Sequence, residues 1–587
     1  MMNCRQHFRY VLLIATLACS VIVFAKPKEK DDNSEVKFTL RTELVLIPTV
    51  VTDKSGTHIS GLKKEDFKVL EDSAEEKVAT FEEITSDTQR WLRPGIPDEF
   101  SNSVAAEPSA RRITLIMLDF INTRIMDQET ARQELLKYLT QSVDVREPTA
   151  LYTLTRSGIQ VIHDFTTDPR ILVAALHQVN GDAYEMIDSP EDGGAGSGTA
   201  NPNSSAGGHG AAGNGGRSSN GSAQASVQSE AGKLQAMLQG TSLNFRSFEQ
   251  RLAITYTLEG MQQIAQAVAG FPGRKSLIWA SGGFPFSVSG SMGIAPAGRD
   301  TLADVLPMYE RTWQLLNDAQ ISLYPVDVKG LRVGTVPSAS MGNPGASTHN
   351  PSRNYASRAN LRQMDTESTF QTFASMTGGR AYFNSNDLAK GFREAVNDSS
   401  EYYILGYYLD HSKTKSGWRK LTVKVNREHS EVRARSGFFV TNATIDPENS
   451  RNSDISSALR SPLDYTSLAF QANWDNTEPG TEPGKKRLNY VMHLSPGAVV
   501  INEADNNHIV LDFVALAVTP EGNPAGQPVG QKVDAHLSAE KLALIRLRGV
   551  IYKGGLDLAP GEYTVRFVVR DDLNGRTGSV SGPLKVQ

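Results

Sequence analysis

Thiols are the first side chains to consider, because a thiolate can serve as a nucleophile, a zinc ligand or an iron–sulfur ligand. The chain of 587 residues has two cysteines, Cys4 and Cys19, both within its first twenty residues. Other reactive patterns are thin. Gly208-His209-Gly210-Ala211-Ala212-Gly213 spells a dinucleotide fingerprint, but it lies in a low-complexity tract with no strand before it and no helix after it. Asp571-Asp572-Leu573-Asn574-Gly575 offers calcium-type oxygens without the rest of a calcium loop, and a hairpin turn accounts for it. No G-x-S-x-G elbow and no H-E-x-x-H helix occurs. The eleven histidines are scattered, and His163, on an expected edge strand, reads as a packing or surface residue. Tyr402-Tyr403 and Tyr407-Tyr408 sit on β-like runs and read as core or cross-strand pairs.

The cysteines belong to a segment with an address. Arg5 and Arg9 precede an apolar stretch from Val11 to Phe24, and Val23-Phe24-Ala25 before Lys26 fits a signal-peptidase site. Residues 1–25 are therefore expected to be a cleaved signal peptide. A retained anchoring helix is the alternative, and a lipoprotein reading through Thr16-Leu17-Ala18-Cys19 is weaker. After cleavage the chain has no cysteine and no membrane span, which removes thiol, Cys-zinc and Cys-iron–sulfur chemistry. The expected location is periplasmic, outer-surface or secreted. Lys+Arg 60 against Asp+Glu 65 gives a net charge of −5, and with a pI near 6.2 this speaks against a nucleic-acid partner. A mean hydropathy of −0.33 excludes a polytopic membrane protein, while 39% hydrophobic residues suffice for real cores.

The elements follow from periodicity. Residues 36–86 alternate in short β-like runs with turn signals at Asp53-Lys54-Ser55-Gly56 and Glu71-Asp72, which predicts a small β-sandwich module. Asp87 to Ala110 reads as a polar linker. From Ile113 strands and helices alternate: the continuous apolar run Ile113–Leu118 is typical of a parallel strand buried on both faces. Ala150–Thr155 and Ile159–His163 form a hairpin around Arg156-Ser157-Gly158. The strands Ser276–Ala280 and Ile321–Val326 follow, with helices expected near Thr130–Leu139, Asp168–Val179, before Gly270, over Leu302–Ala319, Thr366–Met376 and Leu388–Val396. Residues 181–232 are Gly/Ser/Ala/Asn-rich and are expected to be a disordered insertion; Val333 to Asn360 is a second polar insertion. Asp446 to Leu463 reads as a linker, and residues 464–587 as an antiparallel β-sandwich whose Leu556–Asp571 run and Asn574-Gly575 turn mark a hairpin.

Residues 113–123 (ITLIMLDFINT), 272–286 (PGRKSLIWASGGFPF), 321–330 (ISLYPVDVKG) and 373–383 (FASMTGGRAYF), with YYILGYY and VRARSGFF inside 402–439, resemble the von Willebrand factor A (VWA)-related proteins common in acidobacteria. The resemblance covers about residues 36–440. It implies an α/β class: a VWA-like doubly wound, mostly parallel sheet with an antiparallel edge strand over residues 111–440, flanked by N- and C-terminal β-sandwich domains. It also implies a divalent cation, Mg²⁺ or Mn²⁺, at the C-terminal edge of the sheet. The usual pattern there is Asp-x-Ser-x-Ser, a loop Thr and Thr-Asp-Gly. Asp119 matches the first Asp and Thr123 the last hydroxyl. Ile121 stands in place of the middle Ser, and Ser281-Gly282-Gly283 replaces Thr-Asp-Gly. Thr257, in Thr257-Leu258-Glu259-Gly260, is the candidate loop Thr, although helical sequence flanks it. Asp327, ending the strand expected beside Ser281, and Asn122 are the residues that could supply the missing oxygens. The plainer alternative is that Asp119 and Asp327 accept hydrogen bonds from loop amides.

The function expected from these features is an exported, non-enzymatic protein-binding, adhesion or envelope scaffold protein. It would contact an unidentified protein partner through the crevice around Asp119, Thr123, Ser281 and Asp327, at a degenerate metal-ion-dependent adhesion site. The alternatives are a hydrolase with Asp119 and Asp327 as paired carboxylates and a purely structural envelope component.

Overall fold

The structure is a computed structural model and describes residues 42–85, 99–102, 112–141, 147–179, 248–284, 306–330, 366–398, 400–410, 417–440 and 447–587. The expected signal peptide 1–25, the insertion 181–232 and the polar insertion 333–360 lie outside the described residues. Among the described residues no helix is long and apolar enough to cross a membrane.

Strands Arg112–Asp119, Arg274–Ser281 and Ile321–Asp327 are almost wholly buried along their length. They lie side by side in parallel, as runs that are apolar on both faces require. The sheet continues through Thr149–Thr155, parallel to Arg112–Asp119, to Gly158–Thr166, which is antiparallel and lies at the edge. Alternate residues serve two cores. Ile113, Leu115, Met117, Leu277, Trp279 and Leu323 face helices 248–268, Leu306–Asp318 and 366–377. Ile116, Leu118, Ile278, Tyr324 and Val326 face helices Ile125–Gln141, Pro169–His177 and Leu388–Asp398. Close approach is visible at Gly260, where a Cβ would stand 2.9 Å from Leu154 Cδ1.

The α/β class expected for the chain is overturned. Among the described residues strand exceeds helix by 43% to 29%, and four of the five sheets there are antiparallel throughout, with parallel pairs confined to the sheet just described. The long apolar strands of that one sheet dominate the sequence signal, whereas half-exposed antiparallel strands alternate and register weakly.

The strands near the start of the chain find their partners far away. Thr42–Thr52 pairs with Tyr402–Asp410, and Phe67–Glu71 with Gly417–Val425. Two four-stranded sheets result, completed by Thr80–Ile84, Glu431–Arg433, Ala74–Glu76 and Gly437–Val440. They share a core of Val45, Ile47, Phe67, Val69, Tyr403 and Leu405. The expected module 36–86 is thus half of a sandwich whose other half comes from residues after the parallel sheet.

The C-terminal part packs two further antiparallel sheets. One holds Val550–Leu558, Lys486–Leu494, Phe470–Pro479 and Glu99–Ser101, and the other Val529–His536, His508–Val518, Gly561–Asp571 and Arg576–Val586. Leu511, Phe513, Tyr490, Met492 and Phe567 fill the space between them. Parts of two expected linkers are structured. Glu99–Ser101, within 87–110, adds a strand to Phe470–Pro479. Residues 447–460 form a helix despite weak helix formers. It is fastened from outside: Arg451 Nη2 donates to Asp512 Oδ1 at 2.6 Å, Arg311 and Arg570 converge on Asp454, and Ala458 packs against Val514 and Val568.

Candidate functional site

Asp119, Ser281 and Asp327 close three adjacent strands, and all point to the face covered by helix 248–268. Asp327 is opposite Ser281, and Leu118 opposite Ala280, so the three residues form one row across the sheet edge. The side chains of Asp119, Thr123, Thr257, Ser281 and Asp327 are all buried.

Asp119 is the hub. Its Oδ1 accepts from the Ile121 and Asn122 amides at 3.1 and 2.9 Å. Its Oδ2 accepts from Asn122 Nδ2 at 2.8 Å, and from Trp279 Nε1 and Ser281 Oγ at 2.9 Å each. Ser281 Oγ also lies 2.7 Å from the Gly283 carbonyl, so its single proton is contested. Burial pushes the Asp119 carboxyl above its ordinary range, while the donors from Asn122, Ser281 and Trp279 pull against that rise.

The network extends outward from there. Asn122 Nδ2 also donates to Thr257 Oγ1 at 2.9 Å, and Thr257 sends its own proton to the Ala253 carbonyl at 2.8 Å. Thr257 therefore sits inside helix 248–268 rather than on a loop. Thr123 Oγ1 accepts from the Gly282 amide at 2.9 Å. A Cβ at Gly282 would stand 2.9 Å from the Asn122 carbonyl, so the two loops touch backbone to backbone. Asp327 does not join this hub through its Oδ1, which accepts from the Lys329 amide at 3.0 Å. The strand ending at Ser281 separates it from Asp119, a backbone spacing of roughly 9–10 Å.

The structure thus brings together Asp119, Asn122, Thr123, Thr257 and Ser281, and leaves Asp327 one strand beyond. Sequence reading missed Trp279. Its signal was present: positions 279 and 281 share a strand face, which puts the indole on the same side of the sheet as the Asp119 carboxylate.

The residues as arranged do not fit a Mg²⁺ or Mn²⁺ ion. N–H and O–H groups of the protein occupy the Asp119 oxygens, and the indole and carboxamide protons stand where a cation would bind. Asn122 Oδ1 has no hydrogen-bond partner, but it is one neutral oxygen against the six that Mg²⁺ takes. Chemically the arrangement is a lock: it fixes the loop Phe120–Arg124 to strand Arg274–Ser281 and to helix 248–268.

No protein-family model matches the chain, and no curated protein sequence matches it.

Proposed function

We propose that this chain is an exported, non-enzymatic protein-binding or scaffold component of the cell envelope, in keeping with its resemblance to VWA-related proteins. Recognition would run through the rim of the sheet edge rather than through a bound cation. The observation that carries this reading is the contrast at one place in the chain. Asp119 is sealed, yet Ile125 and Met126, directly beyond the locked loop, are 42% and 83% exposed. An apolar pair held out to water at the start of helix Ile125–Gln141 suits contact with a protein. The polar lock keeps that rim in one conformation before binding, which lowers the ordering cost of association. Paired-carboxylate hydrolysis draws no support, since Asp119 is saturated and Asp327 stands across a strand.

A photo-crosslinking residue placed at Met126, with a second at exposed Val529 as a remote control, tests the proposal in envelope preparations. The expected result is one discrete cross-linked species from position 126 only. It should persist in chelator and disappear when Ile125 is changed to Asp. Equal labelling from both positions, or loss of the species on chelation, would count against it.

A further inference from the structure

A second polar cluster lies in the C-terminal sandwich, far from the crevice in sequence and assembled from two strands. His508 opens strand His508–Val518, and His536 ends strand Val529–His536. The antiparallel register sets them directly opposite, with their rings stacked at 4.5 Å. Asp505 precedes His508 by one turn, and Asp534 shares a strand face with His536. One donor atom each from Asp505, His508 and His536 lies within 4.8 Å of the others.

The contacts of the two rings single this cluster out. His508 Nε2 is 2.7 Å from Asp534 Oδ1. A carboxylate accepts, so His508 Nε2 donates to Asp534. The other ring nitrogen, His508 Nδ1, faces Asp505 Oδ2 at 3.2 Å. A ring nitrogen and a carboxylate oxygen at that distance share a proton or the metal ion that displaces it. His536 Nδ1 lies 3.1 Å from the Asp505 carbonyl, which also only accepts, so Nε2 is the nitrogen that His536 can offer to a metal.

We infer that Asp505, His508 and His536 form a zinc-binding site. Imidazole and carboxylate donors are the set that suits Zn²⁺. Two ligands on a tetrahedral zinc stand roughly 3.3–3.5 Å apart given Zn–N and Zn–O lengths of about 2.0–2.2 Å, close to the observed 3.2 Å. The remaining hydrogen bonds are those that ligating histidines make. His508 gives its second N–H to Asp534, and His536 gives its own to a backbone carbonyl. Asp534 is therefore a positioning residue. Three protein ligands leave the fourth position open to water or to a partner's carboxylate. Binding ties the largely exposed edge strand Val529–His536 to the Asp505 turn.

The test is calorimetric titration of Zn²⁺ into the metal-stripped full chain without an affinity tag, at neutral pH. One zinc per chain is expected. His508→Ala and His536→Ala should each weaken it by at least about 100-fold, and Asp534→Asn by about 10–100-fold, with partial rescue by Asp534→Glu. His163→Ala should leave binding unchanged. All four cluster side chains are at least partly exposed, so equal melting curves in chelator show that the variants fold. Co²⁺ in place of Zn²⁺ should give the intense visible absorption of a tetrahedral site. Absence of heat at millimolar Zn²⁺, or undiminished binding by the His508→Ala/His536→Ala double variant, overturns the inference. The first outcome assigns a proton to the gap between Asp505 and His508, and the second places the zinc on other residues.

Discussion

The carboxylate of Asp119 and the cluster around His508 are both small gatherings of polar groups at strand ends, yet burial gives them opposite characters. At Asp119 water is excluded, so every lone pair must be met by the protein or left at a cost. Five donors meet them. Around His508 water is near, so its polar groups need not all be met by the protein. A saturated polar group holds structure together, whereas an unsaturated one at the surface is available to a ligand.

Removing the hubs tests that difference, beginning with the largest effect. Asp119→Ala leaves five donors without their acceptor and should cost about 3–5 kcal/mol. The check is the shift in the urea transition followed by tryptophan fluorescence, since Trp279 is one of the donors. The same carboxyl has a signed pH effect. Its folded-state value lies above the ordinary 3.8, so the folded chain binds the proton more tightly than the unfolded one. Its contribution to stability is complete in acid and is lost as pH rises through the unfolded and then the folded value. Asp119→Asn should abolish that slope in a series of melting curves across pH.

Asn122→Ala removes the amide that bridges Asp119 and Thr257 and should cost about 1–3 kcal/mol, read in the same denaturation experiment. Trp279→Phe keeps most of the ring and deletes one donor, for about 1–2 kcal/mol. At the other pole, replacing His508 and His536 together by Ala in metal-free buffer should change stability by less than about 0.5 kcal/mol. A loss comparable to that of Asn122→Ala would show that the surface cluster holds the fold together and would erase the contrast.

Legibility in the sequence divides along physical lines. Strands Arg112–Asp119, Arg274–Ser281 and Ile321–Asp327 are readable because burial on both faces makes them continuously apolar. The hairpin between Thr149–Thr155 and Gly158–Thr166 is readable because Ser157-Gly158 marks its turn. Most of the Asp119 constellation was named from resemblance, but its chemistry was not, because saturation depends on which donors converge. The weight of β-structure was underestimated. Partners such as Thr42–Thr52 and Tyr402–Asp410 carry no local signal of each other, since each strand shows only its own alternation. The helix Pro447–Arg460 was hidden by its Asn, Ser and Asp content, because its support comes from Asp512 and Arg570 elsewhere in the chain. His508 and His536 looked scattered until the register set them face to face.

That long-range pairing also has a temporal side. Strand Thr42–Thr52 is made early, but its neighbour Tyr402–Asp410 begins roughly 350 residues later. At a synthesis rate of about 5–20 residues per second, the first strand waits roughly 20–70 s for its partner. Throughout that interval Val45, Ile47, Val50 and Val51, all buried in the finished fold, have no sheet to join. A nascent chain of this design depends on a holding chaperone or on delayed collapse, and truncation before residue 402 should yield an insoluble product even when the parallel sheet is complete.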